Sequence, residues 1–184
     1  PPSLYAKTAR PPAETPPLDG SKRVSVAIVG GGFTGLSTAL HLAEKKVDVT
    51  VLEAHEPGWG ASGRNGGQVN PGLKHDPDEV EGHFGEDLGR RMIEMSWNAP
   101  NVVFDLVKRY QIQCEARQTG TLRAAYTAAS DRSVKSSYEQ GARRGMPVEL
   151  LDRARMEAAT GTARYSSALL DRRGGHVNPL GYAR

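Results

Sequence analysis

Two rhythms of apolar residues alternate along the first third of the chain. Val24, Val26, Ile28 and Val29 form a charge-free, β-branched run into Gly30, the pattern of a strand in a buried parallel sheet. Leu36, Leu40 and Ala43 then recur at helical spacing, which gives one apolar face to lie on that sheet, and Glu44, Lys45 and Lys46 close the helix in polar character. A second apolar run over 47–52 ends at Glu53. Strand, helix and strand in this order predict a βαβ unit.

Beyond it the pattern changes. Leu88, Met92, Met95, Val102, Val103, Leu106, Val107 and Tyr110 predict long helical segments between about 84 and 110, interrupted or restarted near Pro100. Residues 112–116 and 121–127 flank Gln118-Thr119-Gly120 and predict a hairpin. That places Cys114 in a strand, as a small buried apolar residue. A polar helix is expected over 131–144, ending near Gly145, and a short strand over 148–151. Asp152 is placed to cap a brief helix over 153–160 that Gly161 stops. A strand over 165–170, a turn at Gly174-Gly175 and the first turn of a helix over 180–184 complete the expectation.

The chemistry enters with the glycines. Gly30, Gly32 and Gly35 have the G-x-G-x-x-G spacing between the first strand and its helix. The first allows the tight turn, the second lets a pyrophosphate approach the backbone, and the third lets helix and strand pack closely. Free amides and the dipole at the start of that helix favour phosphate charge. Glu53 follows Gly35 by 18 positions, where a carboxylate can accept both hydroxyls of an adenosine ribose and repel a 2′-phosphate. The competing view is a βαβ unit whose glycines only make a tight turn.

Residues 58–68 carry five glycines in eleven positions, a loop whose backbone can touch a ligand. Ser62, Arg64, Asn65 and Gln68 add hydrogen-bonding groups, and Arg64 a positive charge, next to a diphosphate or flavin ring. In isolation this would be a flexible surface loop. Directly after a ribose-binding acid it is expected to be a second cofactor loop.

At 184 residues the chain is long enough to bury a core, and its net charge of +3 is spread over scattered basic residues and pairs such as Arg90-Arg91, so no nucleic-acid partner is expected. Cys114 is the single cysteine, which excludes an internal disulfide and fits a reducing, cytoplasmic setting. No apolar run reaches the roughly 20 residues of a membrane span. The five histidines show no metal-ligand spacing, Ser62 has no partnered base nearby, and no catalytic residue is assigned. Trp59 and Trp97 are expected to be packing residues, with a place against the cofactor as the alternative for Trp59. Six of the twelve prolines fall in the first twenty positions, so residues 1–20 are taken as an extended or disordered arm.

The fingerprint, Glu53 and the run Gly58-Trp59-Gly60-Ala61-Ser62-Gly63-Arg64-Asn65-Gly66-Gly67-Gln68 together resemble the FAD-dependent amine and D-amino-acid oxidase family, which includes glycine oxidase-like proteins. The likeness is greatest to its bacterial γ-glutamylputrescine oxidoreductase-like branch. It extends to Ser3-Leu4-Tyr5-Ala6, Gly120-Thr121-Leu122 and Gly174-Gly175-His176-Val177-Asn178-Pro179-Leu180. The resemblance implies an α/β fold: a Rossmann-like, doubly wound FAD-binding domain, incomplete here, with the start of a mixed α+β substrate domain. The expected division is an arm over 1–20, the FAD-binding βαβ unit and cofactor loop over 21–80, a helical segment and the start of the substrate domain over 81–170, and a return to the FAD domain over 171–184. By resemblance, FAD is bound by Gly30, Gly32, Phe33, Thr34, Gly35, Glu53, Ala54, Ala61, Ser62, Arg64, Asn65, Gly66, Gly67 and Gln68.

The implied activity is oxidation of a small amine or amino acid, with hydride passing from the carbon beside nitrogen to the flavin. An NAD-dependent dehydrogenase, or a non-catalytic remnant of the same fold, are the alternatives. Members of the family are longer, so this chain is expected to be an N-terminal fragment. A parallel sheet short of strands would leave apolar edges bare, and the missing half or self-association would be needed for stability.

Overall fold

The computed structural model describes residues 3–184, so Pro1 and Pro2 of the expected arm lie outside the described residues. In chain order the first elements are α1 (Leu4–Thr8), β1 (Val26–Val29), α2 (Phe33–Glu44), β2 (Val49–Leu52), a 3-10 turn (Ala61–Gly63) and the two-residue strand β3 (Gln68–Val69). There follow α3 (Pro77–Phe84), α4 (Glu86–Tyr110), β4 (Thr121–Ala125), α5 (Ala128–Ala142), β5 (Val148–Leu151), α6 (Arg153–Thr160), β6 (Ser167–Asp171), β7 (Gly175–His176) and α7 (Pro179–Ala183). The chain is α/β and forms two compact units. One comprises Pro1–Gln68, Leu106–Ala116 and Val177–Arg184, the other Val69–Asp105 and Arg117–His176.

In the first unit β1 and β2 pair in parallel, from Val26 opposite Val49 to Val29 opposite Leu52, with α2 as the crossover. The expected βαβ unit is present, but its strands begin two residues later than the apolar runs. Nor is β1 buried on both faces. Val29 is 87% exposed and α2 carries no fully buried side chain. Two strands and one helix cover only part of each other's apolar surface, whereas a parallel strand is normally enclosed from both sides.

The proline-rich arm is not wholly irregular. Ser3 Oγ accepts the Ala6 N–H at 3.1 Å and starts α1, a five-residue helix. The strand expected over 112–116 does not form. Gln111 and Glu115 have φ of 51° and 52°, a left-handed geometry that cannot continue an extended run. Cys114 is therefore in a turn, though buried as expected at 1% exposure, and burial pushes its thiol pKa up.

The second unit is built on an antiparallel sheet in the order β4-β6-β5, with Thr121 and Val148 both opposite Asp171. So β4 pairs with β6, not with a hairpin partner just before it. Leu151, Met156 and Ala168 form the buried centre, with Ala124, Tyr165 and Leu170 against them. Helix α6 is as the sequence predicts: Asp152 Oδ1 accepts the Arg155 N–H at 2.9 Å, and Gly161 closes it at φ 73°. Helix α5 starts at Ala128, earlier than expected, because Thr127 and Ser130 make a reciprocal capping box.

Pro100 does not interrupt α4, which runs for 25 residues. Proline supplies no N–H to the carbonyl four residues earlier, Ser96. The Gly72 N–H donates to that carbonyl instead, at 3.1 Å, and satisfies the group the proline leaves open.

Candidate functional site

The turn between β1 and α2 is closed by its own backbone. The Gly30 N–H donates to Leu52 C=O at 2.7 Å, and Gly30 takes a φ of 102° that only glycine adopts freely. At Gly35 a Cβ would lie 2.0 Å from the Gly30 carbonyl oxygen, so the close helix–strand approach demands that glycine. Gly32 precedes the helix in extended backbone, and the first helical bond runs from Leu36 N–H to Gly32 C=O. The amides of Gly32, Thr34 and Gly35 find no acceptor among the described residues.

Glu53 stands beside these amides. Its Oε2 accepts the Gly31 N–H at 2.7 Å and its Oε1 the His55 N–H at 3.0 Å. The Gly31 amide, and after it the His55 amide, hold the Glu53 carboxyl below the ordinary glutamate range, so it is ionised at neutral pH. Gly31 C=O in turn accepts the Gly58 N–H at 2.8 Å, which anchors the start of the second glycine loop to the first.

That loop lies against the start of α2 through Ser62, whose Oγ accepts the Phe33 N–H at 2.9 Å. A hydroxyl oxygen therefore already occupies one of the helix's open donors, as an N-cap would from within the chain. Asn65 is turned inward to its own loop: Nδ2 donates to the carbonyls of Ala61 and Ser62 at 3.2 and 2.8 Å, and Oδ1 accepts the Gly67 N–H at 2.9 Å. Arg64 is exposed and lies over the Trp59 ring at 4.8 Å, with His55 on the same indole. Trp59 is thus a stacking platform at the surface, 41% exposed, and not a core residue.

Of the residues singled out from sequence, Gly30, Gly32, Phe33, Gly35, Glu53 and Ser62 converge on the β1–α2 turn, with Thr34 exposed in the first turn of α2. Ala54 is exposed next to Glu53, and Ala61 opens the 3-10 turn. Gly66 and Gln68 are exposed, and nothing lies within 4 Å of a Cβ built on Gly30 or Gly66, so the backbone there faces open space. Gly67 is buried, its missing side chain leaving room for the Val177 carbonyl 2.2 Å from where Cβ would be. Gly31, whose amide meets Glu53, escaped the G-x-G-x-x-G count. The third consecutive glycine at 30–32 was the available signal for Gly31.

A separate cavity of about 260 Å³ borders the outer side of the loop and is lined by Trp59, Arg64, Leu180 and Arg184. None of the glycines of the β1–α2 turn lines it. No group of metal-ligating side chains occurs among the described residues, and no helix is long and apolar enough to cross a membrane.

Unpaired amide donors at the head of a 12-residue helix, an ionised carboxylate acceptor beside them and a backbone open at Gly30 and Gly66 suit a nucleotide diphosphate and its ribose. Residues 25–184 match the family described as FAD dependent oxidoreductase, DAO. The chain is 40% identical over 185 residues to gamma-glutamylputrescine oxidoreductase of Escherichia coli strain K12, covering 98% of this chain and 42% of that protein. It is 32% identical to the probable oxidoreductase OrdL of Haemophilus influenzae, again over 98% of this chain and 42% of the relative. The chain therefore spans less than half the length of these curated relatives. Among solved structures, glycine oxidase from Geobacillus kaustophilus superposes with a TM-score of 0.67 at 22% identity, over 89% of this chain and 43% of that one. An L-amino acid deaminase from Proteus myxofaciens reaches a TM-score of 0.72 at 17% identity, over 96% and 38%. With the family match spanning nearly the whole chain and the solved structures sharing its fold, the chain belongs to the FAD-dependent oxidoreductase (DAO) family.

Proposed function

We propose that this chain carries the FAD-holding part of an oxidoreductase that acts on a small amine or amino acid. The observation that supports it most is Glu53, held ionised by the Gly31 amide next to unpaired amides of α2. In this reading Gly32, Phe33, Thr34 and Gly35 present main-chain donors to the diphosphate, and Glu53 accepts the ribose hydroxyls. Ser62, whose hydroxyl accepts the Phe33 N–H, would stand at the edge of that diphosphate site and keep the second glycine loop beside it. Ala54, Ala61, Arg64, Asn65, Gly66, Gly67 and Gln68 form the rim that approaches the diphosphate, the ribityl chain or the flavin ring.

When bound, FAD supplies the hydride acceptor for a carbon next to a substrate nitrogen. The protein's share is to hold and orient the nucleotide. The names of the relatives, gamma-glutamylputrescine oxidoreductase and glycine oxidase, support an amine or amino acid as substrate class. The coverage of those relatives supports a longer working polypeptide, whose remaining strands, or a second copy of the chain, would cover Val29 and the bare face of β1. A buried single cysteine is compatible with a cytoplasmic setting.

The test is titration of the purified chain with FAD, NAD and NADP, followed by flavin fluorescence and by thermal shift. FAD should raise the midpoint and acquire altered fluorescence, and NADP should do neither. A response to NAD with none to FAD would move the reading to a dehydrogenase, and no response to any of the three would favour a fold that has lost its ligand.

A further inference from the structure

We propose that Asn178 is a positioning residue for the glycine loop over 58–67, setting where Ser62 meets the start of α2; the consequence for FAD rests on the function proposed above. Asn178 is 4% exposed, yet every polar group it owns is engaged. Its N–H donates to Cys114 C=O at 2.6 Å and its Nδ2 to Thr8 Oγ1 at 2.9 Å. Its Oδ1 accepts the Gly181 N–H and its carbonyl the Tyr182 N–H, each at 2.9 Å, which starts α7. The orientation of the amide is dictated by these partners, because Gly181 requires an acceptor and Thr8 already spends its hydroxyl proton on Leu4 C=O at 3.2 Å. The Asn178 side chain thus joins α1 to α7, segments up to 170 positions apart, while its main-chain amide holds the turn at Cys114.

Helix α7 is what the loop leans on. The Val177 N–H donates to Gly67 C=O at 2.9 Å. A Cβ on Gly63 would sit 2.7 Å from Leu180 Cδ1, and one on Gly58 would sit 2.8 Å from Ala183 Cβ. On its other side α7 is pressed to the turn, since a Cβ on Gly181 would be 3.0 Å from Gln113 C=O. Tyr182 also meets the Phe33 ring edge-on at 5.5 Å. Because Gly58 and Gly63 carry no side chain, Leu180 and Ala183 of α7 bear directly on the loop backbone, so a displacement of α7 passes to the backbone that carries Ser62. A buried Asn whose main-chain N–H, Nδ2, Oδ1 and carbonyl each hold a partner fixes that placement more narrowly than apolar contact does.

The test measures amide hydrogen exchange in the 184-residue chain without FAD, together with FAD affinity by flavin fluorescence. Substituting Asn178→Ala should raise exchange at 58–67 about tenfold while β4, β5 and β6 keep theirs. Its FAD Kd should rise about tenfold. Asn178→Asp keeps the acceptor to Gly181 and lets the Thr8 hydroxyl turn to donate, so it should recover most of both. Thr8→Val, at an exposed position, removes the link between Asn178 and α1 together with the Thr8 bond to Leu4 C=O, and should raise exchange at 58–67 about threefold; it carries the test if Asn178→Ala does not fold. Unchanged exchange over 58–67, or a rise of equal size throughout the chain, overturns the proposal. Because exchange is read without nucleotide, a wild-type chain that ignores FAD defeats the functional reading alone.

Discussion

Gly31 and Glu53, 22 positions apart, are joined by a 2.7 Å hydrogen bond from main-chain amide to carboxylate. The bond ties the end of β2 to the turn after β1 and fixes the acid at the mouth of that turn. Its acceptor is charged, which makes it about twice as strong as a neutral pair. Glu53→Gln preserves the shape and removes the charge. The FAD Kd of that variant should rise about tenfold, measured by fluorescence titration. An unchanged Kd would show that the carboxylate serves the turn and not the nucleotide.

Acid should act on the same contact. Because the Gly31 amide, and secondly the His55 amide, lower the Glu53 pKa in the folded chain, the unfolded chain takes up that proton more readily. The contribution to stability is complete above the unfolded glutamate value and disappears as pH falls through the lower, folded one. Urea midpoints followed downward from neutral pH should therefore fall further in the wild type than in Glu53→Gln, which has no proton to bind. Parallel curves for the two proteins would contradict the lowered pKa.

The glycines separate fold from ligand. Gly35→Ala places a methyl 2.0 Å from the Gly30 carbonyl oxygen, and the overpacking should cost about 1–3 kcal/mol or prevent folding. Gly66→Ala meets nothing within 4 Å, so stability should stay within about 0.5 kcal/mol. If the open space at Gly66 is the cofactor's, FAD affinity should nevertheless fall in that variant. Denaturation and titration of the two proteins give opposite patterns on this view, and a Gly66→Ala chain that binds FAD normally would remove Gly66 from the site.

The parts that could be read from the chain are those governed by short spacing. Gly30, Gly32, Gly35 and Glu53 lie within one βαβ unit, where two glycine spacings and one strand length decide the geometry. Asp152 and Gly161 likewise act on their own helix. Pairing across long intervals was not legible: nothing near Thr121 announces that its partner is Asp171, and the adjacent alternating stretch at 112–116 offered a nearer one. Pro100 misled because the rule for proline assumes an unanswered carbonyl, whereas Gly72, far upstream, answers Ser96. Asn178 carried no signal in the sequence beyond its place before a proline, since its partners come from Thr8 and Cys114.

Asp131 was expected to open helix α5 and instead joins it to β6. Its Oδ1 accepts the hydroxyls of Ser167 at 2.6 Å and Ser166 at 3.0 Å, while Oδ2 meets Lys135 Nζ at 2.7 Å. Lys135 first, then Ser167 and Ser166, push its pKa down to about 2. A folded value below the unfolded one means that the carboxylate's contribution is complete above the ordinary aspartate range and is lost only as pH falls toward about 2. Asp131→Asn should therefore melt below the wild type at neutral pH, and the gap should close at the acid end of a pH series. Ser167→Ala leaves the lysine in place and should open a smaller gap of the same sign. Thermal melts of the three proteins across that series check both statements, and a gap independent of pH would mean that Asp131 acts by shape and not by charge.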